Sequence, residues 1–193
     1  MNKIFIFLVC CSLFSCGHKK YDNPHVLITT NMGEIEVELF PKQAPKTVAA
    51  FLAYVDSGLY NNSSFYRVLK MDDMAPEYNT GLIQGGIWKT NSTKAAQLKG
   101  IVHEPTSQTH LSHTNGTVSL ARLSPGSGTS EFFICIGNQR QFDKSNSETG
   151  DSLGFAAFGK VVKGMTIVRK IQSKPSHGDH FDEQIIIKHI ERM

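Results

Sequence analysis

The stretch "SSFYRVLKMDDMAPEYNTGLIQGG", residues 63–86, sets Arg67 inside an apolar run and follows it with Gln84 and a glycine pair. A guanidinium stays charged at any physiological pH and presents a rigid fork of N–H donors. A nearby glutamine offers an acceptor and two donors. Glycines at 85 and 86 let another part of the chain, or a ligand, come close to the backbone. Such a set can stabilise charge that develops during a reaction without forming a covalent bond. Taken alone, Arg67 reads better as a solvated arginine on a strand surface.

Other chemistry-bearing patterns are weaker. "HLSH" (His110, His113) and "HGDH" (His177, His180) have metal-like spacing but lack the companion ligands of a structural zinc site. They read as polar loop histidines, and no metal is expected. "GSGTS", Gly126–Ser130, lacks the Gly-x-Ser-x-Gly order of a nucleophile elbow.

The elements that must position Arg67 and Gln84 are mostly short strands. "HVLITTNMGEIEVELF" reads as a hairpin, with Val26 to Thr30 as one strand and Glu34 to Phe40 as the other. Ile35, Val37 and Leu39 alternate with Glu34, Glu36 and Glu38, the period of a half-buried antiparallel strand. "PKQAPKTVAAFLAYVDSG" reads as a helix: Pro45 is tolerated in a first turn, Val48, Phe51, Leu52 and Val55 form an apolar stripe, and Gly58 stops it. Strands are expected at Ser64–Leu69, Ile83–Ile87, Gly116–Ala121, Glu131–Ile136 and Phe155–Val162. A second helix begins near Gly164, and "EQIIIKHIE" closes the chain as a strand. Simple alternation puts Phe65, Arg67 and Leu69 on one face and Tyr66 and Val68 on the other. Many short strands with two helices indicate an all-β sandwich or a closed barrel. Polar stretches at 70–82, 88–115 and 138–153 interrupt the pattern, and loops this long are usually functional or disordered. Two of them flank "IQGG", which places Gln84 near a mouth of the barrel.

"SSFYRV", "IQGG", "NGTVSLAR", "SEFFICIG" and "GFAAFGKVVKGMTIVRKI" occur in the order and rough spacing of cyclophilin-type peptidyl-prolyl isomerases. The chain resembles that family from about residue 24 to its end. The resemblance implies a mainly β fold, an eight-stranded antiparallel β-barrel capped by two α-helices. It also implies an enzyme that accelerates rotation about X–Pro bonds in proline-containing polypeptides without a cofactor. Arg67 matches the family's catalytic arginine, and Gln84 the glutamine that bonds substrate backbone and orients it. The substrate-binding set carried over is Phe65, Gln84, Ala121, Arg122, Glu131, Phe133, Phe142 and Phe155. Within it, Phe133 falls at the floor of the proline pocket and Phe142, before Asp143, on its lining. Ala121 and Arg122 match the segment that holds the residue preceding proline.

Several positions depart from the family pattern. Tyr66 stands where histidine is common, Phe155 likewise, and Glu131 where glutamine is frequent. Glu131 is expected to bring a negative charge near Arg67, either orienting it or diverting it. Gly81 falls where a pocket phenylalanine is expected, which weakens one wall unless Met71, Met74 or Leu82 folds in. Aligning Phe142-Asp143 with the family's Leu-Asp pair puts Gln141 where cyclosporin-sensitive relatives carry an indole at the rim. A binding module or holdase with a degraded site is the rival reading.

The ends and the composition place this domain. "MNKIFIFLVCCSLFSC" has a basic Lys3 and an apolar run from Ile4 to Phe14, too short for a transmembrane helix and suited to a secretory signal. Leu13–Cys16, "LFSC", resembles the lipobox of bacterial lipoproteins, where cleavage precedes a cysteine that is then lipidated; an ordinary signal peptide cut elsewhere is the alternative. The expectation is a signal at 1–15, a lipidated Cys16 with a tether to residue 23, and one domain over 24–193, exported and held at a membrane of the cell envelope. Removal of the signal leaves Cys16 and Cys135, hence no internal disulfide framework. A net charge of +3 is too small to argue for nucleic acid. A monomer is expected.

Overall fold

A computed structural model describes residues 21–71, 74–143 and 152–193. The expected signal, Cys16 and the first part of the tether lie outside the described residues. Strands β1 (His25–Thr30) and β2 (Gly33–Leu39) form the expected hairpin. Its turn is tied by Thr30, whose Oγ1 donates to Gly33 O at 2.7 Å and accepts from Met32 N at 3.0 Å. The remaining strands are β3 (Ser63–Leu69), β4 (Gly81–Gly86), β5 (Thr117–Leu120), β6 (Phe132–Ile136), β7 (Ala156–Lys163), β8 (Ser176–His177) and β9 (His180–Arg192).

Antiparallel pairing runs β1-β2-β7-β5-β6-β4-β3-β9, and β9 pairs back with β1. This is the closed eight-strand antiparallel barrel expected from the sequence. The two-residue β8 is an appendage, hairpinned on β9. Closure removes exposed sheet edges, and inward positions pack into one core. Phe65, Val68, Ile83, Phe132, Ile134 and Phe158 are all within 1% of full burial there.

Helix α1 (Pro45–Asp56) buries Val48, Phe51, Leu52 and Val55, the stripe read from the sequence. Phe51 lies 5.4 Å from Tyr60, 5.7 Å from Phe132 and 5.1 Å from Phe158, ring centre to ring centre. Ala44 supplies no side-chain cap for this helix. The carboxylate of Glu104, itself 1% exposed, does so from a distant loop, accepting from Lys46 N (3.1 Å), Thr47 N (2.8 Å) and Thr47 Oγ1 (2.7 Å).

Two short helices join the two expected ones. The polar stretch 88–115 also contains α2 (Ser92–Gln97) and α3 (Thr106–Thr109), and α4 (Met165–Gln172) is the second long helix. Segments of six and four residues are too short to show an apolar period. Asn91 caps α2, its Oδ1 accepting from Lys94 N at 3.1 Å.

Strand β3 carries the feature on which the site depends. Phe65 pairs with Gly85 and Arg67 with Gln84, so Tyr66 is an extra residue on β3 between adjacent positions of β4. This β-bulge breaks the alternation expected for the strand. Phe65 and Val68 enter the core, while Tyr66 and Arg67 emerge consecutively on the outer face, followed there by Leu69.

Candidate active site

The outer faces of β3, β4 and β6 and the end of β5 line a groove of about 720 Å³. On β6, strand alternation sends Phe132, Ile134 and Ile136 inward and leaves Phe133 and Cys135 facing out. On β4 the same rule turns Leu82 and Gln84 outward and Ile83 inward. One part of the groove is therefore aromatic and another is polar.

The aromatic part is a trio of rings set edge to face. Phe133 lies 5.7 Å from Phe142 and 5.2 Å from Phe155, and Phe142 and Phe155 are 5.5 Å apart. Leu82 and Ala121 pack against the same cluster. Beneath Phe133 lies His113, fully buried, its ring stacked on the phenyl at 5.9 Å. The carboxylate of Asp143 accepts from His113 N at 2.9 Å and meets His113 Nδ1 at 2.7 Å, while Nε2 of the histidine meets Ser119 Oγ at 2.9 Å. Desolvation pushes the Asp143 carboxyl up but the bonds from His113 outweigh it, so this carboxyl is held below its usual range. Phe142 thus sits on a segment pinned through its neighbour Asp143. Arg122 extends over Phe155 at 5.3 Å and donates from Nε (3.1 Å) and Nη2 (2.6 Å) to Gly154 O.

The polar part is a chain of hydrogen bonds. Arg67 Nη1 donates to Gln84 Oε1 at 3.2 Å, Gln84 Nε2 donates to Tyr66 Oη at 3.1 Å, and Tyr66 donates to Glu131 Oε2 at 2.7 Å. Glu131 Oε1 accepts from Ile87 N (2.8 Å), Trp88 N (3.0 Å) and Ser130 Oγ (3.1 Å). Burial pushes the Glu131 carboxyl up, against the opposing pull of those bonds. Burial, helped by the Glu131 charge, also raises the Tyr66 phenol. On its other edge Arg67 Nε donates to Asp179 Oδ2 at 2.7 Å, which holds the Asp179 carboxyl below the usual range.

The glycine pair now has its explanation. A Cβ on Gly86, whose φ is +147°, would run into the Glu131 carboxylate, and one on Gly85 would lie 2.5 Å from Ser64 O. The backbone at 85–86 comes close to β3 on one side and to a buried anion on the other.

Of the residues singled out in the sequence, Arg67, Gln84, Ala121, Arg122, Glu131, Phe133, Phe142 and Phe155 all line this groove. Phe65 does not. It is 0% exposed inside the barrel, 5.8 Å from the Phe132 ring, because the bulge follows it rather than precedes it. The expected proximity of Glu131 to Arg67 is indirect, through Tyr66 and Gln84. Leu82 lines the groove and packs against Phe133, whereas Met71 and Met74 line a separate cavity with Asn79 and Gln172. Gly81 itself has φ +133°, and a side chain there would strike Leu69 O.

Sequence reasoning missed Tyr66, His113 and Asp179 as parts of the site. Asp179 is 112 residues from its partner Arg67, and no local pattern connects them. "HLSH" and "HGDH" do not meet: His113 is buried under Phe133, while His180 Nδ1 lies 2.6 Å from Asp179 Oδ1 at the surface. Among the described residues no three His, Cys, Asp or Glu side chains converge to hold a metal ion.

A fixed cationic donor beside an apolar socket is suited to binding a proline ring and stabilising the amide nitrogen next to it. Residues 25–192 match the family model "Cyclophilin type peptidyl-prolyl cis-trans isomerase/CLD". A peptidyl-prolyl cis-trans isomerase of Acinetobacter baylyi is 37% identical over 155 residues, spanning 80% of this chain and 74% of that protein. Peptidyl-prolyl cis-trans isomerase B of Escherichia coli is 33% identical over 171 residues, spanning 86% and 97%. A crystal structure of a Cryptosporidium parvum cyclophilin-type isomerase superposes with a TM-score of 0.68 at 26% identity, covering 89% of this chain and 98% of that one. The same parasite protein in the presence of the dipeptide Ala-Pro gives a TM-score of 0.67. The chain belongs to the cyclophilin-type peptidyl-prolyl cis-trans isomerase family. It is an isomerase of proline peptide bonds.

Proposed function

We propose that this isomerase acts through Arg67 on X–Pro bonds of exported polypeptides, as a monomer tethered to an envelope membrane by a lipid on Cys16. The observation that carries the catalytic part is the placement of Arg67 in the same groove as the Phe133–Phe142–Phe155 socket. Rotation about the peptide bond crosses a barrier of about 18–20 kcal/mol. Uncatalysed X–Pro exchange takes tens to hundreds of seconds. Twisting ends amide resonance, and the prolyl nitrogen pyramidalises and regains a lone pair. A guanidinium aimed at that nitrogen binds the twisted state more tightly than either planar state, which lowers the barrier. The aromatic socket holds the ring while the acyl side swings, and Gln84 keeps Arg67 in register. No covalent bond forms or breaks.

Gly81 and Glu131 are the departures that favour a mere binding module. Leu82 lines the groove and packs against Phe133, and Glu131 ties to Tyr66 rather than to the arginine. Both facts support the enzyme reading. A protease-coupled peptide assay on residues 21–193 tests it, and turnover of an Ala-Pro peptide no faster than the spontaneous rate would oppose it.

Support for the location comes from the apolar run Ile4–Phe14 and the "LFSC" ending at Cys16. The eight residues to Asn23 span at most roughly 30 Å when extended, so the barrel would ride close to the bilayer. Among the described residues no helix is long and apolar enough to cross a membrane. Metabolic labelling with a fatty-acid probe should mark the wild type and miss Cys16→Ser; equal labelling of both would oppose the anchor.

A further inference from the structure

We propose that Asp179 is a positioning residue for the isomerase reaction, holding the Nε edge of Arg67 so that the rest of the guanidinium faces the groove. The inference rests on Arg67 being the catalytic donor. Asp179 comes from "HGDH", a motif whose histidines have metal-like spacing and read as loop residues, and whose aspartate has no other assigned role.

The placement is rigid on both sides. Asp179 lies in the two-residue turn between β8 and β9, where His177 pairs with His180. Its carbonyl accepts from Val68 N at 2.9 Å, so the turn is bonded to the strand residue next to Arg67. Strand β9 reaches this point by a jump in register: Phe65 faces Ile185, but Arg67 faces His180. This jump falls at the same point of β3 as the bulge that turns Arg67 outward, and it brings the β8–β9 turn alongside that residue. One carboxylate oxygen of Asp179 takes Arg67 Nε at 2.7 Å, and the other meets His180 Nδ1 at 2.6 Å. Gln84 takes Nη1 on a different edge. With two edges bonded, among the described residues Nη2 is the nitrogen that no protein acceptor engages.

Arginine is long and loses much rotamer freedom when it must hold one pose. A charge-assisted bond at Nε fixes the plane of the fork, and a misplacement of about 1 Å at a reacting centre costs roughly a hundredfold in rate. Stability has little to gain from the pair. The side chains of Arg67 and Asp179 are 36% and 41% exposed, and ion pairs that open to water contribute little to folding. A purely structural aspartate at this place would thus leave turnover unchanged.

The test combines kinetics with a spectroscopic readout of the arginine. Asp179→Ala and Asp179→Asn should lower kcat by about threefold to tenfold. KM and the thermal midpoint should stay near wild type, and Asp179→Glu should recover part of the loss. In 15N-labelled protein the Arg67 Nε–H correlation should be sharp in wild type and broadened by exchange with water in Asp179→Ala. Wild-type kcat in Asp179→Ala, with Arg67→Ala inactive, would overturn the positioning role alone. Wild-type turnover in Arg67→Ala would overturn the catalytic reading beneath it.

Discussion

The carboxylate of Glu131 accepts a 2.7 Å hydrogen bond from the Tyr66 hydroxyl and leaves Arg67 to other partners. A negative charge in this groove would be expected to capture the nearest guanidinium. The β-bulge prevents that by presenting Tyr66 and Arg67 side by side, with the phenol standing toward Glu131 and the guanidinium toward Asp179. Glu131 is thereby the anchor of a relay through Tyr66 and Gln84. Its remaining oxygen is consumed by backbone N–H groups just beyond the glycine pair.

Burial of Glu131 has a consequence for stability against pH. Its carboxyl is raised above 4.5, so the folded protein binds this proton more tightly than the unfolded chain does. The resulting contribution to stability is full below that value and is lost as pH rises through the raised one. Glu131→Gln removes it. The thermal midpoint of the variant minus that of wild type should therefore grow more positive as pH rises from 4 toward 7. A difference that stays flat across that range would show that Glu131 titrates as an ordinary surface carboxylate.

Glu104 closes the N-terminus of α1 from a loop more than fifty residues away, satisfying three donors at once. Glu104→Ala leaves buried N–H groups unpaired, at a cost of about 1–3 kcal/mol. For a domain of this size that corresponds to a fall of roughly 2–12 °C in midpoint. Turnover at low temperature should be unchanged, since α1 faces the core and not the groove. A midpoint equal to wild type in differential scanning calorimetry would contradict the capping role.

Cyclosporin should inhibit this enzyme poorly. The sequence alignment puts Gln141 where sensitive relatives offer an indole, and Gln141 Nε2 is already committed to Gln139 Oε1 at 2.7 Å. Loss of a buried aromatic contact and its donor costs on the order of 2–4 kcal/mol, roughly a factor of thirty to a thousand in affinity. Inhibition should need micromolar drug or more in the peptide assay. A nanomolar constant would mean that another side chain, with Trp88 the first to mutate, completes the rim.

Much of this was legible from residue order. The hairpin, α1, α4 and the barrel strands announce themselves by period, because each has one face in a single core. Phe133 and Phe142 could be placed because the short motifs that carry the family resemblance fix them locally. Phe65 could not, since alternation predicts the wrong neighbours once an extra residue enters β3, and nothing in "SSFYRV" marks the bulge. The partners of Arg67 and of α1 escaped for another reason: Asp179 and Glu104 act across long sequence separations, where only the closed barrel brings them near. Polar loop residues show no period, so their roles appear only in three dimensions.

The central claim is that Arg67 stabilises the twisted prolyl bond, and Arg67→Ala in the protease-coupled isomerisation assay tests it most directly. A preorganised charged donor contributes about 2.7–4 kcal/mol to a transition state, so kcat/KM should fall by roughly a hundredfold or more. Because Arg67 is about one-third exposed and outside the core, circular dichroism and thermal midpoint should stay close to wild type. A folded Arg67→Ala protein that isomerises the peptide at the wild-type rate would contradict the account.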